Sequence, residues 1–375
     1  MKLIVEPADG VAPLLAAIKR AKKSVEIAIF RFDRKDIEIA LMAAAARGVR
    51  VTALIAFTNR GGEPGLRKLE LRFLEAGIIV ARTADDLVRY HGKYILIDRR
   101  VLYVLSFNFT RLDIDHSRGF GLVTSAQSCL KEAAKLFKAD CTRTKYVSKT
   151  DAFVVSPANS RRALGTFLKG ARTQLLIYDP KISDKEMLRI LQERAKAGVE
   201  IQVIGQVSGQ PSFEARKLAT TRLHTRTIIR DRRQAFVGSQ SLRTAELDSR
   251  REVGLIVQDP KAVRTLLDTF EADWIAKRGK SAPAAEAVET AIVEAAGASA
   301  KEVAKAVGVF TKELQPLATA VKKAVLQAVV KAGDDVLHDK DVKDTMKKVV
   351  KQAVKEAVKD AVHEAQDALQ PKSVA

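Results

Sequence analysis

Two cysteines, Cys129 and Cys141, are all that this 375-residue chain carries. Two thiols cannot build a disulfide framework; they fit a reducing compartment, with both side chains expected in the interior. No apolar run approaches the ~20 residues a membrane-spanning helix needs. The opening Met1-Lys-Leu-Ile-Val-Glu6 breaks off after three apolar residues, too few for the apolar region of a secretory signal. The expectation is a cytoplasmic protein, at most peripheral to a membrane. Histidine is scarce: five residues, at positions 91, 116, 224, 338 and 363, with no clustered metal-ligand spacing. No metal and no cofactor is expected.

Positive charge is plentiful and unevenly placed. The formal net charge is +20. From Ser281 onward the chain holds 14 Lys, no Arg and 14 acidic residues, so the excess sits entirely in the first 280 residues. A basic body of this kind suits a polyanionic partner, either an anionic phospholipid or membrane surface or a nucleic acid. Arg216 to Arg251 alone contains nine arginines and Lys217. Arginine's planar fork makes paired hydrogen bonds to phosphate. Only Phe213 and Phe236 lie among or beside them, which argues against a stacking platform for single strands.

The histidines point to the chemistry. His91-Gly-Lys-Tyr-Ile-Leu-Ile-Asp98 and His224-Thr-Arg-Thr-Ile-Ile-Arg-Asp231 share one pattern: His, one residue, a cation, four residues, Asp. Each is rich in β-branched and aliphatic residues and reads as a strand. Side chains two apart on a strand share a face, so His91 lies with Lys93 and His224 with Arg226. Seven residues beyond each Asp lies a short polar segment, Leu105-Ser106-Phe107-Asn108 and Gly238-Ser239-Gln240-Ser241.

The doubled pattern resembles the phospholipase D superfamily, whose motif is H-x-K-x4-D followed by G-S-x-N. The resemblance covers roughly residues 1 to 278. It implies an α/β fold of two pseudo-symmetric phospholipase D-like α/β/α sandwich repeats with mixed sheets, meeting at one site. It also implies phosphodiester cleavage through a phosphohistidine without a metal. The implied catalytic set is His91, Lys93, Asp98, His224, Arg226 and Asp231. Ser106, Asn108, Ser239, Ser241 and Glu252 would support it by binding phosphate or bracing a histidine. Neutral imidazole can attack phosphorus and a protonated one can donate to the leaving oxygen; an unperturbed pKa of ~6.5 suits both roles. His91 is expected as nucleophile. His224 is expected as acid, with the downstream Glu252 favouring its protonated form. Departures from the pattern are Arg226 for the second lysine, Ser241 for the second asparagine, Leu105 for the first glycine, and Gly119 where an acidic residue would match Glu252.

The remaining sequence is organised around the same duplication. Val5-Glu-Pro7 matches Val155-Ser-Pro157. Helical patterns at Val11–Ala21 and Ser160–Ala171 are followed by strands at Val25–Phe30 and Leu175–Tyr178. Helices at Asp36–Ala46 and Asp184–Ala197 stop at Gly48 and Gly198, and strands Val49–Phe57 and Val199–Val207 follow. The first half carries an extra Gly- and Pro-rich turn, Thr58 to Gly65, and a helix from Leu66 to Ala76. The expected organisation is a first repeat over 1–145, a second over 146–279 closed by a helix from Pro260 to Lys277, and an Ala-, Val- and Lys-rich α-helical tail over 280–375. The tail's small apolar residues recur at helical spacing from Val342 to Leu369, which suits self-association. The favoured activity is hydrolysis, or transfer, at a phospholipid phosphodiester. The rivals are an endonuclease, suggested by Ser106-Phe-Asn-Phe-Thr110, and a catalytically silent phosphate- or nucleic-acid-binding module.

Overall fold

The structure, a computed structural model, describes residues 1–57 and 63–276. The expected tail and most of the Thr58–Gly65 turn lie outside the described residues. Met1–Arg278 forms one compact unit. Its first half runs β1 (Lys2–Glu6), α1 (Ala12–Arg20), β2 (Ser24–Ile29), α2 (Lys35–Ala46), β3 (Arg50–Ile55), α3 (Glu63–Glu75), β4 (Ile79–Arg82), β5 (Arg89–Tyr90), β6 (Tyr94–Ile97), β7 (Val101–Leu105), α4 (Arg111–His116), β8 (Ser117–Thr124) and α5 (Gln127–Thr142). The second runs β9 (Phe153–Val155), α6 (Ser160–Lys169), β10 (Gln174–Ile182), α7 (Lys185–Lys196), β11 (Glu200–Val207), β12 (Glu214–Arg216), β13 (Arg222–Leu223), β14 (Arg226–Arg230), β15 (Gln234–Gly238), α8 (Thr244–Asp248), β16 (Arg250–Arg251), β17 (Val253–Val257) and α9 (Pro260–Ile275).

The two sheets repeat one topology. The first is ordered β1-β8-β7-β6-β2-β3-β4, and the second, read from its far edge, β9-β17-β15-β14-β10-β11-β12. In both, the strands linked by helical crossovers pair in parallel and the motif strand pairs antiparallel on both sides. The mixed-sheet expectation is met. Period-two burial separates the layers. In β6, Tyr94 and Leu96 face a core shared by both sheets with α5 and α9, whereas Ile95 and Ile97 face α1, α2 and α3. The outer face of the second sheet packs on α6 and α7. The helix boundaries have local causes: Asp184 caps α7 by accepting from the amides of Glu186 and Met187, and Gly48 and Gly198 take the left-handed φ, 84° each, that ends α2 and α7.

The halves grip one another by reciprocal contacts. Arg118 of the first half pairs with Asp273 of α9 at 2.7 Å, and Arg251 of the second pairs with Asp140 of α5 at 3.0 Å. Two-residue ladders cross over likewise, β16 on β5 and β13 on β8. Cys129 is buried, but Cys141 is half-buried, because it sits at the solvent-facing end of α5. Among the described residues, no helix is long and apolar enough to cross a membrane.

Candidate active site

The crossing ladders place both histidines. β5 precedes His91 and pairs with β16 of the other half, and the His91 amide donates to the Arg251 carbonyl at 2.7 Å. β13 precedes His224 and pairs with β8, and the His224 amide donates to the Arg118 carbonyl at 3.1 Å. Each histidine is thus seated on the opposite repeat. Both are buried, at 6% and 9% exposure.

The next residue along the opposite strand differs between the halves. Beside His91 it is Glu252, whose Oε2 lies 2.8 Å from Nδ1 of His91. Beside His224 it is Gly119, where a Cβ would meet the Phe107 ring at 2.8 Å. This corrects the expected bracing: Glu252 serves the first histidine, because β16 and β17 run past His91 and not past His224. Sequence reasoning missed the residue that accompanies His224. Asp113, in α4, has Oδ2 3.5 Å from Nδ1 of His224. That carboxylate is held by the Asn108 amide and its Nδ2, and by Arg222 Nη1 at 2.8 Å. Glu246 is its counterpart in the second half, accepting from the Ser241 amide and from Arg250. A repeated spacing marks the pair: Asp113 and Glu246 each stand seven residues after Ser106 and Ser239.

Lys93 and Arg226 occupy matching places. Lys93 Nζ donates to the His91 carbonyl at 2.8 Å and Arg226 Nη1 to the His224 carbonyl at 2.9 Å. Arg226 also donates through Nε to Ser241 Oγ. Phe30 closes one wall, packing edge-on to His91 with ring centroids 4.6 Å apart and lying 5.6 Å from Lys93 Nζ. Sequence reasoning missed Phe30 as well: at the end of an apolar strand it reads as ordinary core.

Four residues of the expected set play other parts. Asp98 and Asp231 sit at the far ends of their strands, where each accepts from three consecutive backbone amides, those of residues 22–24 and 172–174. They anchor turns whose residues Asp98, Arg99, Asp231 and Arg232 all take positive φ. Neither belongs with the histidines. Ser106 Oγ accepts from the Phe120 amide and Ser239 Oγ from the Val253 amide, so both hydroxyls serve the strand beside them, and Ser239 also favours the ionised form of Glu252. The missing first glycine has a steric account. Gly238 and Gly254 face each other because Phe236 and Gln240 fill the space where their side chains would lie; in the first half Leu105 enters that space and Gly121 alone gives way.

Burial drives the electrostatics. It pushes both imidazoles well below the ordinary histidine pKa, aided at His91 by Lys93 and Arg226 and opposed at His224 by Asp113. It pushes Glu252 up, against the pull of Lys93. Asp113 is buried too, yet His224, Arg222 and Asn108 outweigh that penalty and hold it at about 2. Lys93 falls to about 7, burial first, with Arg226 adding to it and Glu252 opposing. An ionised carboxylate only accepts, which puts the His91 proton on Nδ1 and leaves Nε2 with its lone pair. Among the described residues, no three His, Cys, Asp or Glu side chains cluster as a metal site would require.

A family model described as "Cardiolipin synthase, PLD-like domain" matches residues 14–141 and 164–274, one segment in each half. The chain belongs to the phospholipase D superfamily. Members of this superfamily cleave or transfer phosphodiesters. Among curated relatives, a polyphosphate kinase of Klebsiella pneumoniae is 25% identical over 278 residues, 66% of this chain and 40% of the kinase. A mitochondrial cardiolipin hydrolase of Mus musculus is 30% identical over 113 residues, 29% of this chain and 48% of the hydrolase. The chain therefore spans less than half the length of either. The crystal structure of a polyphosphate kinase from Porphyromonas gingivalis superposes with a TM-score of 0.60 at 22% identity, over 73% of this chain and 50% of the kinase. That likeness establishes the fold alone.

Proposed function

We propose that this phospholipase D superfamily member is a phosphodiesterase working through a phosphohistidine on His91, with a phospholipid as substrate. The observation that carries the reading is the 2.8 Å contact between Glu252 and Nδ1 of a buried His91. It orients the ring, leaves Nε2 free to attack, and supplies a counter-charge as the ring becomes cationic on bonding phosphorus. Lys93 and Arg226 would hold the non-bridging oxygens, where charge gathers in the transition state. His224, where Asp113 opposes the burial that disfavours the imidazolium, would give its proton to the departing alkoxide, a contribution of roughly 10²–10⁴ in rate. The neutral His224 then takes a proton from water. The resulting hydroxide attacks phosphorus, the P–N bond breaks, and the electron pair returns to His91. Support for a lipid comes from the cardiolipin synthase description of the matched family, the likeness to a cardiolipin hydrolase, and the basic body of the chain.

A second reading has its own observation. The match to polyphosphate kinases runs over 278 residues, more than twice the span matched to the hydrolase. The same nucleophile attacking a phosphoanhydride would leave a phosphoryl group on His91. One experiment addresses both readings. Protein and its His91→Ala variant are incubated with phosphatidylglycerol, phosphatidylcholine, single-stranded DNA or inorganic polyphosphate, each with EDTA or with magnesium, and acid-quenched for mass spectrometry. Phosphatidate release that survives EDTA, with a phosphatidyl adduct on His91, is the expected result. Activity lost on chelation and restored by a divalent ion would overturn the mechanism, and product from polyphosphate alone would transfer the assignment to the second reading.

A further inference from the structure

The arginine-rich stretch from Arg216 to Arg251 is not used up by the histidine site. Arg222, Arg226 and Arg250 serve it; Arg230, Arg232 and Arg233 do not. β14 begins at Arg226 and ends at Arg230, so Arg230 lies about 13 Å from Arg226 by the strand rise, and Arg232 and Arg233 stand in the turn beyond it. There they line a cleft of about 860 Å³ with Arg172 and Arg264, a volume within the range of small-molecule sites. The one acidic side chain in its lining is Asp231, already accepting from three backbone amides and from the Thr173 hydroxyl. Arg232 pairs with Glu271 and Arg264 with Asp268. Arg172, Arg230 and Arg233 form no ion pair among the described residues.

The cleft is built around one arginine that has no counterpart in the first repeat. Arg230 is fixed by donating to the Phe167 carbonyl at 2.9 Å and to Gln234, and by lying 4.6 Å over the Phe167 ring. Its guanidinium takes the place of a side chain at position 170, where a Cβ on Gly170 would lie 2.4 Å from Nη1. At the matching places of the first repeat stand Ile97 for Arg230 and Arg20 for Gly170, while Lys22, Arg99 and Arg100 match Arg172, Arg232 and Arg233. The duplication accounts for the cations of the turn; Arg230, lying where Gly170 leaves room, is what the second repeat adds. Forked donors converging on an open cleft match the oxygens of closely spaced phosphates, each fork making two charge-assisted hydrogen bonds.

From this geometry we propose a second anion site, at the far end of the second sheet from the histidines, for a soluble anion carrying several phosphate groups. It is independent of the catalytic reading. The test is calorimetric titration with inorganic triphosphate, using full-length His91→Ala protein so that nothing is turned over, and the same protein with Arg172→Ala and Arg233→Ala added. Both arginines are exposed, so the fold should stand, and unchanged thermal melting checks this. One binding event per chain should disappear, or weaken by about tenfold or more per arginine as expected for charge-assisted contacts. It should also weaken as salt rises from 0.1 to 0.5 M in the parent protein. Arg226→Ala, in the same background, should leave this event in place. Unchanged stoichiometry and affinity in the arginine variant would overturn the proposal. So would loss of binding to phosphatidylglycerol vesicles with triphosphate binding intact, which would make the cleft a lipid-headgroup contact.

Discussion

If Glu252 braces the nucleophile, then replacing it by Gln should slow formation of the covalent intermediate and leave its breakdown nearly untouched. The amide keeps the shape of the 2.8 Å contact and removes only the charge. A hydrogen bond to a charged group contributes roughly 1.5–3 kcal/mol against about 1 for a neutral one, so the charge accounts for roughly 1–2 kcal/mol once the ring is cationic. At 1.36 kcal/mol per factor of ten, that is about 5- to 30-fold. The upper end is expected, because Glu252 has no exposed surface and little water screens it. Rapid-quench kinetics on a p-nitrophenyl diester separates the steps: the burst rate should fall by this factor, with KM little changed. Asp113→Asn should do the reverse, giving a normal burst with this good leaving group and then slow hydrolysis. Were Glu252 the partner of His224, its variant would show a full-rate burst followed by stalling. That outcome would refute the assignment.

Further tests follow from the same geometry. Arg226→Lys should keep activity within about tenfold of the parent or raise it, since a cation at that place is what the non-bridging oxygens need; equal loss in Arg226→Lys and Arg226→Ala would show that the planar fork itself is required. Lys93, brought to about 7 by burial, is charged below that pH and neutral above it, so kcat/KM should fall as pH rises through about 7, and Lys93→Arg should remove that limb of the profile. Asp98→Ala and Asp231→Ala should each lower Tm by about 2–8 °C, from roughly 1–2 kcal/mol of lost amide pairing in a unit this size, with kcat unchanged. A chain ending at residue 280 should still hydrolyse a small soluble diester; an unfolded or inactive product would show that the C-terminal segment completes the body.

Much of this site was legible because a doubled motif leaves a doubled trace. The strand pattern put His91 with Lys93 and His224 with Arg226, and the glycines at 48 and 198 marked the helix ends in both halves. Two errors came from reading the motif as a unit. Seven residues separate each histidine from its aspartate, an odd number along a strand and roughly 23 Å of rise, so Asp98 and Asp231 could not join the histidines at one centre. The pairing of Glu252 was not legible in the same way. Alternation along a strand tells which face a side chain takes, but His91 meets Glu252 only because β16 docks on β5 of the other repeat, and no local pattern encodes that. Asp113 and Glu246 were legible in their shared spacing, yet an acidic residue on a short helix reads as solvated surface until the fold turns it inward.

The different residues beside the two histidines bear on why two repeats are joined in one chain. A pair of identical repeats docked about a twofold axis would carry the same neighbour at both histidines: two glutamates or two glycines. Covalent linkage frees each copy to vary alone, so one imidazole can be kept with a tightly held base partner and the other with a looser acidic one. The division of labour between attacker and proton donor is thereby written into the gene instead of being settled afresh by whichever side the substrate enters. It also removes a freedom: because His91 and His224 each lean on the opposite copy, neither repeat could be excised and still retain half of the activity.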